Sequence, residues 1–350
     1  MKVVIAMSGG VDSSVAAALL KEEGHDVTGA TMQLWPADER VADARRVADK
    51  LGIPHHVMNF RDIFAREVIA DFCQEYERGR TPNPCLRCNQ YLKFGALLER
   101  AREMGADFIA TGHHARVEPD EATGTRLLKK GVDASKDQSY FLYPLTQEQL
   151  RYTLFPIGNF TKDRVREIAV ALNLPVASKR ESQEICFIHD NDYPGFLKDY
   201  IPRAAEPGPI LDEPGNILGR HRGVMFYTIG QRRGLGIASR ERLYVRAIEP
   251  DRNAIVVGTR DEAYGSELIA SNVNWIAKAQ PGPSTRIKAK IRYRHPEVEA
   301  FIKTMDEGGV RVRFAEPQMA ITPGQAVVFY DGDTVLGGGI IDRQGSETCS

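Results

Sequence analysis

Ala6-Met7-Ser8-Gly9-Gly10-Val11-Asp12-Ser13-Ser14 follows a short apolar run, Val3-Val4-Ile5, and leads into Val15-Ala16-Ala17-Ala18-Leu19-Leu20. The order reads as strand, glycine turn, helix. Two adjacent glycines let the backbone approach a ligand closely, because no Cβ stands in the way. The first amides of the following helix lack intrahelical partners and sit at its positive dipole end, which suits an anion. Ser8, Ser13 and Ser14 add hydroxyl donors. The stretch is a candidate phosphate cradle, although neither G-x-x-x-x-G-K-[ST] nor G-x-G-x-x-G occurs in the chain. The plainer alternative is an ordinary β-turn-α junction, where Gly and Ser are common. Asp12 stands out, since an acid beside a phosphate repels it unless a cation intervenes. It is a candidate Mg²⁺ or substrate contact.

Working outward, Lys2–Met7, Asp26–Gln33, His55–Asn59 and Asp107–Thr111 read as strands. Ser13–Glu23, Asp38–Leu51, Asp62–Glu77 and Tyr91–Met104 read as helices, with Gly24, Gly52 and Gly105 placed as terminating glycines. This alternation predicts an α/β fold, a doubly wound parallel sheet with helices on both faces. Ligands in such sheets bind beyond the carboxyl ends of the strands. Ser8–Ser14, Thr31-Met32 and Thr111-Gly112-His113 therefore share one rim. A nucleotide suits it, with phosphates on the first loop, adenine against Met32, and Gly112 permitting close backbone approach.

Beyond Arg116 the pattern loosens. Thr125–Lys130 and Gln138–Tyr143 read as strands, and Thr161–Leu172 as an amphipathic helix with a threonine cap. Past Pro202, Gly and Pro punctuate short β-rich runs: Val224–Ile229, Leu243–Ile248, Ala254–Val257, Thr285–Tyr293, Val310–Phe314, Ala326–Tyr330 and Thr334–Ile341. Such spacing predicts antiparallel sheets or a small barrel. A boundary near Glu267–Asn272 gives three expected units: residues 1–201, a central β-rich domain over 202–268, and a C-terminal domain over 269–350.

The 350 residues are 42% hydrophobic and 27% charged, ordinary for a soluble globular protein. A net charge of −1 gives no global attraction to nucleic acid, so RNA contact has to come from local basic patches. The N-terminal apolar run is too short for a signal peptide, and no window approaches a membrane span. Five cysteines do not suggest a secreted disulfide framework, and the expected location is cytoplasmic.

Thr81-Pro82-Asn83-Pro84-Cys85-Leu86-Arg87-Cys88-Asn89 is a proline-stiffened loop carrying a C-x-x-C. Alone, that motif is ambiguous among a zinc half-site, a redox pair and an iron–sulfur ligand set, and no second pair completes a zinc site. Cys186, in Glu184-Ile185-Cys186-Phe187-Ile188, reads in isolation as a buried core thiol. Cys73 takes the core role comfortably, and Cys349 lies in a polar tail. Arg286, Lys288, Lys290, Arg292 and Arg294 recur at every second position, which in a strand places five cations on one face. A solvated face is the plain alternative. Five like charges on one strand favour an anionic partner such as nucleic acid. Arg220-His221-Arg222, Gln231-Arg232-Arg233, Lys129-Lys130 and Lys136-Asp137-Gln138 are candidates to extend that footprint.

The S-G-G-x-D-S pattern resembles the PP-loop of ATP pyrophosphatases, which cleave ATP between the α and β phosphates. Together with Thr81–Asn89, Ala110–His113, Lys136–Leu142, Glu184–Ile188, Tyr227–Gly236 and Ile291–Arg294, it makes the chain resemble, nearly end to end, the bacterial tRNA-specific 2-thiouridylases. The resemblance implies a PP-loop domain, a small central domain and a C-terminal β-barrel that binds tRNA. It implies ATP binding, with Mg²⁺, by Ala6, Met7, Ser8, Gly9, Gly10, Val11, Asp12, Ser13, Met32 and Gly112. It implies tRNA contact at Asp12, His113, Lys136, Asp137, Gln138, Arg292, Tyr293 and Gln325, with the target base approached by Asn83, Pro84 and Cys85.

By the same resemblance, Cys88 is the catalytic nucleophile, Cys186 carries a persulfide, and the two form a transient disulfide. The persulfide donor would be a cysteine desulfurase or a sulfur carrier. The uracil C2 oxygen is a poor leaving group, and adenylation converts it into part of AMP. Arg87 and a helix starting at Tyr91 are expected to lower the Cys88 thiol pKa. Some family members carry Asp in place of Cys85; with it, Cys85, Cys88 and Cys186 could hold a [4Fe–4S] cluster with one open iron. The rivals are an iron–sulfur-dependent tRNA thiolase, a PP-loop amidotransferase or ligase acting on a small molecule, and a non-catalytic RNA-binding protein.

Overall fold

Five parallel strands order the first half of the chain as β3-β2-β1-β4-β7. The computed structural model describes all residues except 37, 181–184, 189–191, 202–204, 277–281, 283–284, 306–307 and 346–350, so Glu184 and Cys349 lie outside it. Strand β1 (Lys2–Ala6) pairs with β2 (Asp26–Gln33) on one side and β4 (Phe108–Ala110) on the other. Val3, Val4 and Ile5 are all buried, as a central parallel strand covered on both faces requires. Helix α1 (Val11–Glu22) begins at the second glycine. Its Val15-Ala16-Ala17-Ala18 run is buried, and the small side chains let it sit close to the sheet. Helix α2 (Glu39–Leu51) is capped by the Asp38 side chain and ends on Gly52 at φ +63. Strand β3 (His55–Asn59) follows at the sheet edge.

The next two helical stretches are each interrupted by wider turns. Helix α3 (Arg61–Phe64) runs through a π-helical segment, Ala65–Ile69, into α4 (Ala70–Glu77). Helix α5 (Pro84–Arg87) runs through a second one, Cys88–Ala96, into α6 (Leu97–Glu103). The helix therefore starts at Pro84 and not at Tyr91. Asn83 accepts from the Cys85 amide at 3.2 Å, and Pro84 takes the first helical position, where a missing N–H costs nothing. The C-x-x-C is thus a capped helical turn.

A hairpin, β5 (Ala115–Asp120) with β6 (Thr125–Lys130), leaves the first domain and joins the sheet of the last one. Gln138–Tyr143 is not a strand. Ser139–Phe141 forms a 3₁₀ turn, because Asp137 accepts from the Ser139 amide and hydroxyl and closes the chain on itself. Helix α7 (Gln147–Arg151), strand β7 (Thr153–Leu154) and the Thr161-capped helix α8 (Lys162–Ala171) complete the domain.

Helix α9 (Tyr193–Tyr200) leads into a four-stranded sheet of order β10-β11-β8-β9, made by β8 (Gly208–Leu211), β9 (Ile217–His221), β10 (Tyr244–Glu249) and β11 (Ala254–Gly258). The expected strand at Val224–Ile229 is instead a 3₁₀ turn at Val224–Phe226, which follows Gly223 at φ +136.

Strands β12 (Tyr264–Trp275), β13 (Thr285–Lys290), β14 (Val298–Thr304), β15 (Val310–Met319), β16 (Ala326–Asp331) and β17 (Thr334–Gln344) close into a barrel through the β12–β17 pairing. Strand β12 runs unbroken across Glu267–Asn272, where a boundary was expected, so the barrel begins before it. Strand β13 ends at Lys290, short of the expected Tyr293. A turn closed by the His295 amide on the Arg292 carbonyl, at 3.0 Å, takes over just before Pro296. Arg292 and Arg294 are therefore not on the strand, and only Arg286, Lys288 and Lys290 share its outer face.

Candidate functional site

The rim between β1 and β4 is where the strand order reverses, and both glycine segments meet there. Gly9 adopts φ +67, and a Cβ on it would stand 2.7 Å from the Arg40 carbonyl. A Cβ on Gly112 would stand 2.5 Å from the Ser13 nitrogen and 2.7 Å from the Asp12 carbonyl carbon. The loop is held inward by Ser13 Oγ, which accepts from the Ser8 amide at 3.2 Å, and by Ser14 Oγ, which donates to the Gly10 carbonyl at 2.8 Å. Met7 is pinned by Thr31 Oγ1 donating to its carbonyl at 2.8 Å. Met32 follows on the half-exposed end of β2. Ala6 through Ser13 thus make a tightly held backbone turn at the start of α1, and its glycines, amides and hydroxyls suit a polyphosphate.

Asp12 is not a lone acid. Lys162 Nζ lies 2.6 and 2.8 Å from its two oxygens, and His114 Nε2 lies 3.5 Å away. Burial pushes the Asp12 carboxyl up, but His114 and Lys162 outweigh it and hold the pKa below its ordinary value. Neither buried ring nitrogen of His114 has a well-aligned hydrogen-bond partner among the described residues. A polar cavity of about 470 Å³, lined by Lys162, Lys136, Arg166 and Arg180 among others, opens beside this group.

His113 is buried, with Nδ1 2.7 Å from Thr111 Oγ1 and Nε2 3.4 Å from Lys93 Nζ. Burial, then Lys93 and His114, hold its imidazole well below the ordinary value, so it stays neutral. An unfolded chain takes a proton there near pH 6.5 while the folded one does not, so this group weakens the fold as pH falls below that value. His113→Gln is expected to flatten the pH dependence of the urea midpoint between about pH 7 and pH 5, by up to about 1.4 kcal/mol per pH unit. His55 and His221, also held low by burial, leave a residual slope. An unchanged slope would mean that His113 is charged in the folded protein.

Cys85 and Cys186 are solvent-exposed and Cys88 half-exposed. Cys186 and Cys88 are close enough to act electrostatically on Cys85, and Cys186 on Cys88. Burial against the surrounding protein, then Cys186, push the Cys85 thiol up to about 12, against the pull of Lys93. A thiol can be both crowded by protein and reached by water when it lines an open cleft. Cys88 is likewise raised by burial, against Lys93 and Arg40. The expected lowering by Arg87 fails for a visible reason. Its guanidinium pairs with Asp71 at 2.8 Å and lies over the Tyr91 ring, not at the sulfur.

Lys93 takes that place through the π-helical segment. In an α-helix a residue five positions on is turned roughly 140° away. Hydrogen bonding at i→i+5 brings it back toward the same face. Among the described residues no three His, Cys, Asp or Glu side chains gather closely enough to hold a metal ion.

The remaining candidates are arranged around the rim. Gln138 Oε1 accepts from the His114 amide at 3.0 Å, while Asp137 is buried and accepts from Gly131 and Ser139. Asp137 thus shapes the Lys136–Gln138 loop from inside. Tyr293 packs on Phe141 with ring centroids 4.4 Å apart. Arg292 is half-buried and donates to the Met319 carbonyl at 3.1 Å. Gln325 Nε2 donates to the Thr81 carbonyl at 2.8 Å, and the Thr81 amide donates to the Pro323 carbonyl at 2.9 Å. These bonds stitch the barrel to the segment carrying Asn83, Pro84 and Cys85. On β13, Arg286 is ion-paired with Glu299, which also stands opposite Lys288. The stripe is partly neutralised and shorter than five cations.

Comparison with known proteins agrees with this architecture. Family profiles described as tRNA methyl transferase HUP domain, tRNA methyl transferase PRC-barrel domain and aminomethyltransferase β-barrel domain match residues 1–190, 194–259 and 265–341. The chain is 53% identical to the tRNA-specific 2-thiouridylase MnmA 2 of Caldanaerobacter subterraneus subsp. tengcongensis, covering 98% of both chains. It is 52% identical to the tRNA-specific 2-thiouridylase MnmA of Acetivibrio thermocellus, covering 97% of this chain and 99% of that one. The chain belongs to the tRNA-specific 2-thiouridylase family.

In this 2-thiouridylase-family chain, sequence reading missed four polar residues at the rim: Arg40, Lys93, His114 and Lys162. None sits in a motif: Arg40, His114 and Lys162 arrive from elements remote from Cys186 and Asp12, and Lys93 reaches Cys88 from five residues on only through the widened helical turn. The one available signal was Lys162 immediately after a capping threonine, at the position where α8 enters the sheet rim.

Proposed function

We propose that the protein is an ATP-dependent tRNA sulfurtransferase that makes 2-thiouridine at the wobble position. The observation that carries this reading is that Cys88 and the distant Cys186 come within electrostatic reach of each other, and that Cys88 comes within reach of Arg40, whose backbone walls the glycine turn. A PP-loop ligase acting on a small molecule has no use for that pair.

The uridine C2 oxygen attacks the α-phosphorus of ATP, the bond to the pyrophosphate oxygen breaks, and the C2 oxygen becomes part of an adenylate. Amides of the Ser8–Ser13 turn face the charge that develops. The outer sulfur of a Cys186 persulfide, supplied by an external persulfide donor, then attacks C2, and AMP leaves with the C2–O electron pair. Cys88, as thiolate, attacks Cys186 Sγ. The Sγ–S bond breaks, its electrons stay on the sulfur now bonded to C2, and a Cys88–Cys186 disulfide forms. An external thiol reductant reopens it.

The raised pKa of Cys88 keeps it a thiol at rest, which protects it from oxidation between turnovers. Asn83, Pro84 and Cys85, on the turn stitched to the barrel, are in position to meet an unstacked base. Asp12, His113, Lys136, Gln138, Arg292, Tyr293 and Gln325 surround the approach, with Asp137 supporting them from beneath.

Nucleoside mass analysis of tRNA incubated with the protein, ATP and a persulfide source tests the reading. It is expected to yield 2-thiouridine together with AMP and pyrophosphate, and tRNA left unmodified would overturn it. A second measurement concerns the barrel. Replacing Lys290 and Arg292 with alanine should weaken tRNA binding and reduce the slope of log affinity against log salt by about 0.7 for each phosphate that is no longer neutralised. An unchanged slope would leave these two side chains without a role at the RNA.

A further inference from the structure

The first turn of α2 touches both halves of the reaction. Its backbone walls the nucleotide loop, since a Cβ on Gly9 would meet the Arg40 carbonyl at 2.7 Å and Asp43 Cβ at 2.8 Å. From the same residue the Arg40 guanidinium comes within electrostatic reach of the Cys186 side chain. That reach is fixed by Asp38, whose side chain is only 3% exposed. Asp38 accepts from Arg40 Nε at 2.8 Å and from Nη2 at 2.6 Å, and also from the Arg40 amide at 3.1 Å. A two-pronged carboxylate grip sets the plane of a guanidinium as well as its position.

Cys186 is held independently of that contact. Its turn closes with the Ile188 amide on the Ile185 carbonyl at 3.0 Å, and buried Phe187 plugs it edge-on against Phe64 and Phe72, at 5.6 and 5.3 Å. The sulfur itself stays open to solvent, where an external donor can load it.

We propose that Arg40 is a positioning residue for sulfur transfer: its Asp38-locked guanidinium holds the outer, anionic sulfur of a Cys186 persulfide beside the nucleotide loop where the adenylate forms. This rests on the reading of Cys186 as the persulfide carrier. Guanidinium is weakly hydrated and permanently charged, which suits a large, polarisable anion better than an ammonium does. Because one helical turn both walls the loop and aims the sulfur, the distance between the two reacting centres is set within a single rigid element.

The test compares Arg40→Lys, Arg40→Gln and the double variant Asp38→Asn/Arg40→Gln. The double variant removes the pair without leaving Asp38 buried and unpaired, so it guards against loss of folding. Each protein is loaded with inorganic polysulfide, and Cys186 persulfide is counted by mass spectrometry of the alkylated peptide. Loaded protein is then mixed with tRNA and ATP for a single turnover, following pyrophosphate release and 2-thiouridine separately. The expected result is a ratio of sulfur transfer to adenylation lowered on the order of 10²-fold in both Gln variants, with partial recovery in Arg40→Lys. A double variant that transfers sulfur at the wild-type ratio, or that loses both steps equally, would overturn the assignment of Arg40 alone. Wild-type protein that thiolates tRNA with no persulfide on Cys186 would overturn the carrier reading and this one together.

Discussion

Replacing Cys186 with serine is expected to abolish 2-thiouridine formation, by more than about 10⁴-fold in rate, the scale seen when a nucleophile is removed. Serine cannot carry a sulfane sulfur, and no other described cysteine stands where it could substitute. Cys85 and Cys88 are on the facing turn, and Cys73 is buried in the core. The fold should not suffer. The Cys186 side chain is exposed, and its turn is anchored by Phe187, so the stability change should stay within about 0.5 kcal/mol. Binding of tRNA, which the proposed function assigns to the barrel and the rim, should be unchanged, and pyrophosphate should still be released. Thiolation that persists in the variant would remove Cys186 from the chemistry.

Gly112→Ala should have the next largest effect, and for a different reason. The added methyl would fall 2.5 Å from the Ser13 nitrogen, 2.7 Å from the Asp12 carbonyl carbon and 2.8 Å from Ser13 Cα. All three are backbone atoms of the cradle, so no side chain can swing aside to make room. The loop has to move, and with it the amides that face the phosphates. Displacement on the order of 1 Å costs about 10²-fold in rate, and overpacking costs about 1–3 kcal/mol of stability. Tight ATP binding and normal pyrophosphate release in this variant would mean that the rim is not the nucleotide site. Gly124 is a useful contrast, because a Cβ there meets nothing within 4 Å, although its φ of +69 still disfavours a side chain.

The doubly wound half was legible because each of its elements carries a local signal. Strand β1 is a short apolar run, α2 has Asp38 before it and Gly52 after it, and β2 and β3 match the expected residues at both ends. Where the reading failed, distant residues decided the outcome. Gln138–Tyr143 has strand-like composition, yet Asp137 folds it into a 3₁₀ turn. The alternating cations after Thr285 promised a long strand, yet the chain turns at Arg292. The widened turns at Cys88–Ala96 have no period that a sequence window registers, so nothing in the sequence turns Lys93 toward the thiols. The sign of the Cys88 shift was hidden for a related reason. Proximity in sequence to Arg87 is not proximity to its charge once Asp71 has captured it. The site was therefore legible in its motifs and illegible in the cations that surround them.

The hydrogen bonds between Thr81 and Pro323–Gln325 have a mechanical consequence. Gly324, at φ +90, lies so close that a Cβ would meet the Thr81 nitrogen at 2.9 Å, so the seam has no slack. Whatever force a substrate exerts on the barrel is transmitted directly to the turn bearing Cys85 and Cys88. In the proposed function, holding the substrate and aiming the thiols are then one degree of freedom, not two. A barrel transplanted from a relative would have to restore that seam before it could restore turnover.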